Sequence, residues 1–466
     1  MAVTGARETS QQVVTDLFGP SVERNFEVRY WDGTSEPAGG GVHSAFTLVL
    51  RHPGALRRML LPPTERALGE AFVRGDIDVE GDLESATALS QRIRRRLSAP
   101  ATFIRIASQL RSLPCVPTPE SARSRPGFRL RRRHSLQRDK DAIRFHYDMG
   151  NDFYRLFLDR GMIYSCAYFR TPDDDLDAAQ EAKLEHICRK LDLRPGERLL
   201  DIGCGWGGLI EYASSRYGVD ATGITLSEQQ AAYARGRIAN AGLDDRCRVH
   251  VLDYRALPLD ARFDKIVSVG MVEHVGRRNL RRYFADTLRH LEPGGLFLNH
   301  GIVSLEAATS LRRSASRSLR RWTSFVERHV FPDGELVTAA ELLQPAEAAG
   351  FELRDAENLR EHYVLTLRHW VQRLETNGAA AVACGGQHAW RTWRLYLAAS
   401  ASAFATGRIA VTQLLLARPR ADGTVRLPLT RNHLYIGHMG GPLPAQPQRH
   451  AAGEAFEIGV ACDVAN

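Results

Sequence analysis

Short apolar runs alternate with longer amphipathic stretches through the middle of the chain. The runs lie at 198–202, 219–224, 247–252, 263–269 and 295–302. Stretches with helical spacing, such as 227–241 and 277–291, separate them, and a helix at 393–404 followed by a strand at 409–417 closes the series. Strands of this length with helices between them predict a doubly wound parallel sheet. The first 113 residues read differently. A β-like run at 45–50 precedes a Gly- and Asp-rich segment at 72–83 that signals tight turns, and a helix at 83–97 ends in Arg92, Arg94, Arg95 and Arg96. This mixture predicts a smaller α+β domain at 1–113. Residues 114–139 combine Pro, Ser and Arg, poor material for a packed core, and read as a linker. It is either a solvated tether or an arm for anionic lipid. The main domain is expected at 140–436, and a low-complexity tail at 437–466.

Composition adds limits. A chain of 466 residues with 44% hydrophobic positions can fill two to three domains. No apolar run reaches the length of a membrane span, and the polar first ten residues lack a signal core, so a cytoplasmic protein is expected. Seven cysteines at irregular spacing, without a C-x-x-C pair, argue against a disulfide framework or a zinc site, and no metal is expected. The net charge of +8 rests almost wholly on arginine, with lysine only at 140, 183, 190 and 265. It favours an anionic partner, nucleic acid or membrane headgroups, without choosing between them.

The chemistry begins at the first strand of the alternation. Leu199-Leu200-Asp201 is followed at once by Gly203, Gly205, Gly207 and Gly208, and then by a helical stretch from Trp206 to Tyr217. Glycine permits positive φ and close approach of a ligand, and in open α/β sheets ligands bind beyond the carboxyl ends of the strands. The spacing D-x-G-x-G differs from the G-x-G-x-x-G of dinucleotide binders and matches S-adenosylmethionine-dependent methyltransferases. Asp201 is placed to accept a hydrogen bond from the amino-acid end of that cofactor. Thr225, Ser227 and Gln230 follow the second strand where a ribose would lie, although Ser227 also reads as a helix cap. Asp253 and Tyr254 follow the third strand where adenine would lie; a plain surface Asp is the alternative.

Several longer segments resemble the cyclopropane-fatty-acyl-phospholipid synthases and the related mycolic acid cyclopropane synthases. They are Phe145-His146-Tyr147-Asp148-Met149-Gly150-Asn151-Asp152-Phe153-Tyr154, Tyr164-Ser165-Cys166-Ala167-Tyr168-Phe169, Ala179-Gln180-Glu181-Ala182-Lys183, Gly270-Met271-Val272-Glu273-His274-Val275-Gly276 and Phe331-Pro332-Asp333-Gly334. Arg74-Gly75-Asp76 and Gly81-Asp82-Leu83 extend the resemblance into the first zone and suggest the phospholipid-acting members. The resemblance implies a Rossmann-like class I methyltransferase domain with a lipid-binding or accessory N-terminal domain. It implies transfer of a one-carbon unit from S-adenosylmethionine to a cis double bond of an unsaturated phospholipid chain. The carbocation formed would lose a proton to bound bicarbonate and close to a cyclopropane. By the same resemblance, Tyr164, Ser165, Gly203, Gly205, Trp206 and Gly207 join the cofactor residues. Cys166, Glu273, His300, the backbone at Ile302, and Tyr363 would hold the bicarbonate. It further implies a protein at the inner face of an anionic membrane with no nucleic acid partner, and a homodimer by analogy.

One position departs from the family. Many members carry a cysteine where this chain has Ser400, which is therefore grouped with the catalytic candidates. Serine is no thiolate at neutral pH, so a cysteine base at this place is excluded while the bicarbonate route stands. The change leaves open a methylene or methyl-branched product, formed if the cation loses a neighbouring proton. A small-molecule C-methyltransferase is a further alternative. A second arginine cluster at 311–321, beside Trp322 and Phe325, suits either an anionic lipid surface or a solvated helix face.

Overall fold

The computed structural model describes residues 2–39, 44–116, 149–305, 324–331 and 334–435. Most of the linker, the arginine cluster at 311–321 and the tail from 436 lie outside them, as do Phe145 to Asp148 and Pro332-Asp333. Residues 1–427 form one unit, built on two sheets.

The alternation of apolar runs becomes a seven-stranded sheet. Its strands are β5 (Arg198–Ile202), β6 (Asp220–Thr225), β7 (Cys247–Val251), β8 (Phe263–Val269), β9 (Leu291–Ser304), β10 (Glu352–Asn358) and β11 (Ile409–Ala417), in the spatial order β10-β11-β9-β8-β5-β6-β7. The pairs β5–β6, β6–β7, β5–β8 and β8–β9 are parallel, and β11 runs antiparallel to both β9 and β10. The order reverses between β5 and β8, and in doubly wound folds the ligand crevice opens at that switch point. The central strands are buried on both faces, with Leu199, Leu200, Ile266, Val267, Phe297 and Leu298 wholly inaccessible.

The smaller sheet confirms an α+β fold in the first zone. β1 (Glu27–Arg29), β2 (Ser35–Glu36), β3 (Phe46–Leu50) and β4 (Ile77–Gly81) pair in the order β2-β1-β3-β4. β4 corrects the reading of 72–83 as turns alone. Gly75 ends the helix Glu65–Arg74 in the left-handed region at φ 79°, β4 follows, and Asp82 caps the helix Leu83–Leu97 by accepting from the Ser85 N–H at 3.1 Å. The turn residues were real, but they bracket a strand whose Ile77 and Val79 face the core.

Two long helices, Arg360–Thr376 and Gly378–Ala405, carry the N-terminal sheet against the large one. The second is kinked at Gly386, where φ is 80°, and the part beyond the kink still starts before the expected 393–404. Buried Arg391 makes the join: its Nε donates to Phe72 O at 2.7 Å, Nη2 donates to Ile77 O at 2.9 Å, and both terminal nitrogens reach the Asp78 carboxylate at 3.2 Å. On the neighbouring helix Arg368 grips Glu84 with two bonds of 2.8 and 2.9 Å.

Candidate active site

The glycine turn leaves β5 with Gly203 at φ 90°, a backbone conformation L side chains rarely adopt, and the Gly203 N–H donates to Ile224 O at 2.9 Å. This tight link between β5 and β6 opens a cavity of ≈ 160 Å³ at the strand ends. Tyr164, Ser165, Asp201, Gly203, Gly205, Trp206, Thr225, Gln230, Asp253 and Tyr254 all line it. Gly207 and Ser227 do not. Gly207 starts the helix Gly208–Tyr217 at φ 83°, where a Cβ would strike Ala234 at 2.9 Å, and Ser227 caps the helix Glu228–Asn240 by accepting from the Gln230 N–H at 3.3 Å. Both shape the pocket from behind. Asp253 is on the wall, but its carboxylate is held by Arg255 at 2.8 and 2.6 Å, so the acid expected near adenine is already paired.

Asp201 has a different setting. It is buried with Oδ1 unpartnered, and burial, only partly offset by the nearby Lys183 charge, lifts its pKa to about 7. Lys183 alone does not compensate a buried carboxyl in this state. The ammonium of S-adenosylmethionine would supply a second cation.

Lys183, the last residue of the segment Ala179-Gln180-Glu181-Ala182-Lys183, joins the site. Its Nζ donates to Ser165 Oγ at 3.1 Å and lines the cavity, while Gln180 donates to Ser165 O at 2.9 Å. Burial lowers the Lys183 pKa to about 8, against the opposing fields of Asp159, Cys166 and Asp201. The signal was present: a Gln and a Lys three residues apart on the buried side of Leu176–Lys190, among Ala179, Ala182 and Ile187.

A second cavity of ≈ 530 Å³ shares Tyr164, Ser165, Gly270 and His274 with the first. Cys166, Glu273, His300, Ile302, Tyr363 and Ser400 all line this larger, apolar space. The structure thus gathers six candidates from distant parts of the chain. Glu273 lies just past the end of β8; burial raises its pKa to about 7, although the Ile302 N–H donates to Oε1 at 2.7 Å. Its Oε2 is buried and unpartnered. The Ile302 N–H is therefore engaged by Glu273. Burial, with the positive fields of Lys183 and Lys190, depresses His300 to about 3, so the ring is neutral. Gln413, its cross-strand neighbour on β11, donates from Nε2 to His300 Nδ1 at 3.1 Å, which leaves the ring proton on Nε2. Gln413 was missed, because only the β9–β11 register puts it beside His300. Burial pushes the Cys166 thiol up, and its sulfur sits 3.3 Å from Ala167 O, so it is a neutral thiol. Ser400 bonds Tyr396, whose pKa burial pushes up to about 12. Among the described residues no cluster suited to a metal ion occurs.

A family model described as mycolic acid cyclopropane synthetase matches residues 134–414. The chain belongs to the mycolic acid cyclopropane synthetase family. It is an S-adenosylmethionine-dependent methyltransferase. Residues 13–93 match a second model, described only as a domain of unknown function. A probable fatty acid methyltransferase of Pseudomonas putida is 39% identical over 416 residues, covering 89% of this chain and 97% of that one. The cyclopropane-fatty-acyl-phospholipid synthase of Escherichia coli K12 is 38% identical over 297 residues, covering 64% of this chain and 73% of its own length. A solved mycolic acid cyclopropane synthase, CmaA1 complexed with SAH and CTAB, superposes with a TM-score of 0.55 at 33% identity, over 60% of this chain and 98% of that one. Membership in this family fits the Rossmann-like sheet and the cavity at its switch point.

Proposed function

We propose that the protein transfers a one-carbon unit from S-adenosylmethionine to the cis double bond of an unsaturated phospholipid acyl chain and forms a cyclopropane. The observation that carries this reading is the meeting of two cavities, polar at the glycine turn and apolar beyond it, along Tyr164, Ser165, Gly270 and His274. When bound, S-adenosylmethionine supplies an electrophilic methyl group, which a weakly nucleophilic alkene requires. Asp201, Gln230 and Thr225 would hold the cofactor from the strand ends. The apolar walls at Leu367, Phe404 and Ile409 keep water from a carbocation on the acyl chain.

The proton must then leave. His300 is neutral and a poor base, so its Nε2–H acts as a donor. Glu273, near half-protonated at neutral pH, can accept a proton or donate to an anion through Oε2. With the Tyr363 hydroxyl, these groups suit a small oxyanion, and bicarbonate would supply the base there. Neutral Cys166 adds no competing charge. The Ile302 amide contributes indirectly, by orienting Glu273.

Peripheral contact with an anionic membrane surface belongs to the same proposal. Exposed Arg92, Arg94, Arg95 and Arg96 support it. Among the described residues no helix is long and apolar enough to cross a membrane.

The second reading is a methylene or methyl-branched product. Ser400 favours it, as do the fatty acid methyltransferases among the relatives. Proton NMR and mass spectrometry of lipids from a host rich in oleoyl chains, expressing the protein, decide the matter. Ring protons upfield of ordinary methylenes are expected. Added mass with olefinic or branched-methyl signals instead overturns ring closure.

A further inference from the structure

The large cavity does not stop at the anion-holding residues. Its wall continues through the helix Gly378–Ala405, at Leu395, Ala399 and Ala403, into the N-terminal sheet domain. There it is lined by Phe18, Leu48, Met59, Phe72, Ile77 and Val79, all members of that domain's own buried core. A space inside a hydrophobic core is unusual, because interiors pack at the density of organic crystals. Each of those six residues is apolar and less than 9% exposed. The polar lining residues of the same domain are Glu65, at the start of the helix Glu65–Arg74, and Thr87, Ser90, Gln91 and Arg94, on the helix Leu83–Leu97.

We infer that the core of the N-terminal domain receives the methyl-terminal end of the substrate chain, and so measures the distance from the reacting alkene to that end. The inference rests on the acyl-transfer reading and assigns a role to the segment 13–93. Three observations support it. The cavity is continuous from Glu273 and His300 into this core. The six core residues offer no partner to a carboxylate or phosphate, whereas a methyl terminus needs none. The domain is held in place by Arg391 through two backbone carbonyls and Asp78, so the depth of the slot is set by rigid elements.

Ala86 lines this part of the cavity from the helix Leu83–Leu97. Ala86→Phe should shorten the slot, and Leu89→Ala should lengthen it. Three phosphatidylglycerol substrates separate the two ends of the chain. Palmitoleoyl and oleoyl chains have the same carboxyl side, but oleoyl is two carbons longer beyond the alkene. Palmitoleoyl and cis-vaccenoyl chains have the same methyl side and differ on the carboxyl side. Ala86→Phe is expected to lower kcat/KM for oleoyl relative to palmitoleoyl by about tenfold or more, and to leave the ratio of cis-vaccenoyl to palmitoleoyl unchanged. Leu89→Ala is expected to move the oleoyl ratio the other way. Calorimetry with S-adenosylmethionine, showing wild-type affinity, certifies that both variants are folded. Loss of cis-vaccenoyl turnover with oleoyl turnover retained would place the carboxyl side in this core and overturn the inference. Equal effects on all three substrates, or none, overturn it as well. A wild-type protein that alkylates none of the three defeats the acyl-transfer reading itself, and this inference with it.

Discussion

Asp201, next to the last residue of β5, is a carboxyl with no partner for Oδ1 and a pKa of about 7, raised by burial and only partly lowered by Lys183. An incoming ammonium would ionise it. The sign follows: below pH 7 the free protein holds a proton there that the complex does not. Binding therefore releases a proton, and affinity should rise as the pH rises through about 7. Calorimetry in buffers of different ionisation enthalpy should detect that release at pH 6.5. Asp201→Asn should abolish it and weaken binding about tenfold or more, as expected for a charge-assisted hydrogen bond. Unchanged proton release in the variant would remove Asp201 from this role. The strand-glycine motif pointed to this residue directly. Lys183 and Gln413 needed the fold, since one acts across a helix and the other across a strand pair.

At the level of elements, the join between the N-terminal sheet and the helix Gly378–Ala405 centres on the buried guanidinium of Arg391, with Arg394 Nη1 adding a longer bond to Val79 O at 3.5 Å. Arg391 is 6% exposed, and Arg391→Ala would remove the guanidinium bonds to Phe72 O and Ile77 O and leave Asp78 without that cation, although Phe72 O would keep the Gly75 N–H at 3.0 Å. Breaking a buried charged contact of this kind costs about 3 kcal/mol or more. We expect a clear fall in Tm and early proteolysis within the first 113 residues. Arg391→Lys should restore little, because an ammonium cannot reproduce the planar fork. Uniform loss of stability without selective cleavage of that region would show that the two sheets unfold as one. Helix and strand positions were largely legible: β5, β8, β11 and the helix Leu83–Leu97 begin and end where the apolar pattern does. β1, β2 and β10 were not, being short or, for β10, alternately exposed at the sheet edge.

For the molecule as a whole, two buried carboxyls at the strand ends imply a stability cost that grows with pH. Asp201 and Glu273 both have folded pKa values raised to about 7. The folded state keeps their protons while the unfolded chain gives them up. Stability from these groups is therefore lost as pH rises from the ordinary carboxylate range through about 7, and the loss is complete above it. Thermal scans of the ligand-free protein between pH 5 and 8.5 should show this decline. Glu273→Gln should flatten part of it, raise Tm at the alkaline end by a few degrees, and abolish turnover. A steeper decline in the variant would mean that Glu273 is ionised and stabilised in the fold. Ser400 sits at the same scale of argument, since what it does depends on Tyr396 and the cavity around both.

The division of labour between chain and fold is physical. Periodicity of apolar residues and the D-x-G-x-G turn are local, so fold class and cofactor were readable along the chain. Cys166, Glu273, His300 and Tyr363 were readable only through family resemblance, because their meeting depends on strand order. Whether a named residue faces the ligand was decided by tertiary structure: Gly207 and Ser227 support the pocket from behind, and the Ile302 amide is already bonded to Glu273. Only packing made one space run from the anion-holding residues into the N-terminal core, because a cavity is defined by the surfaces that surround it.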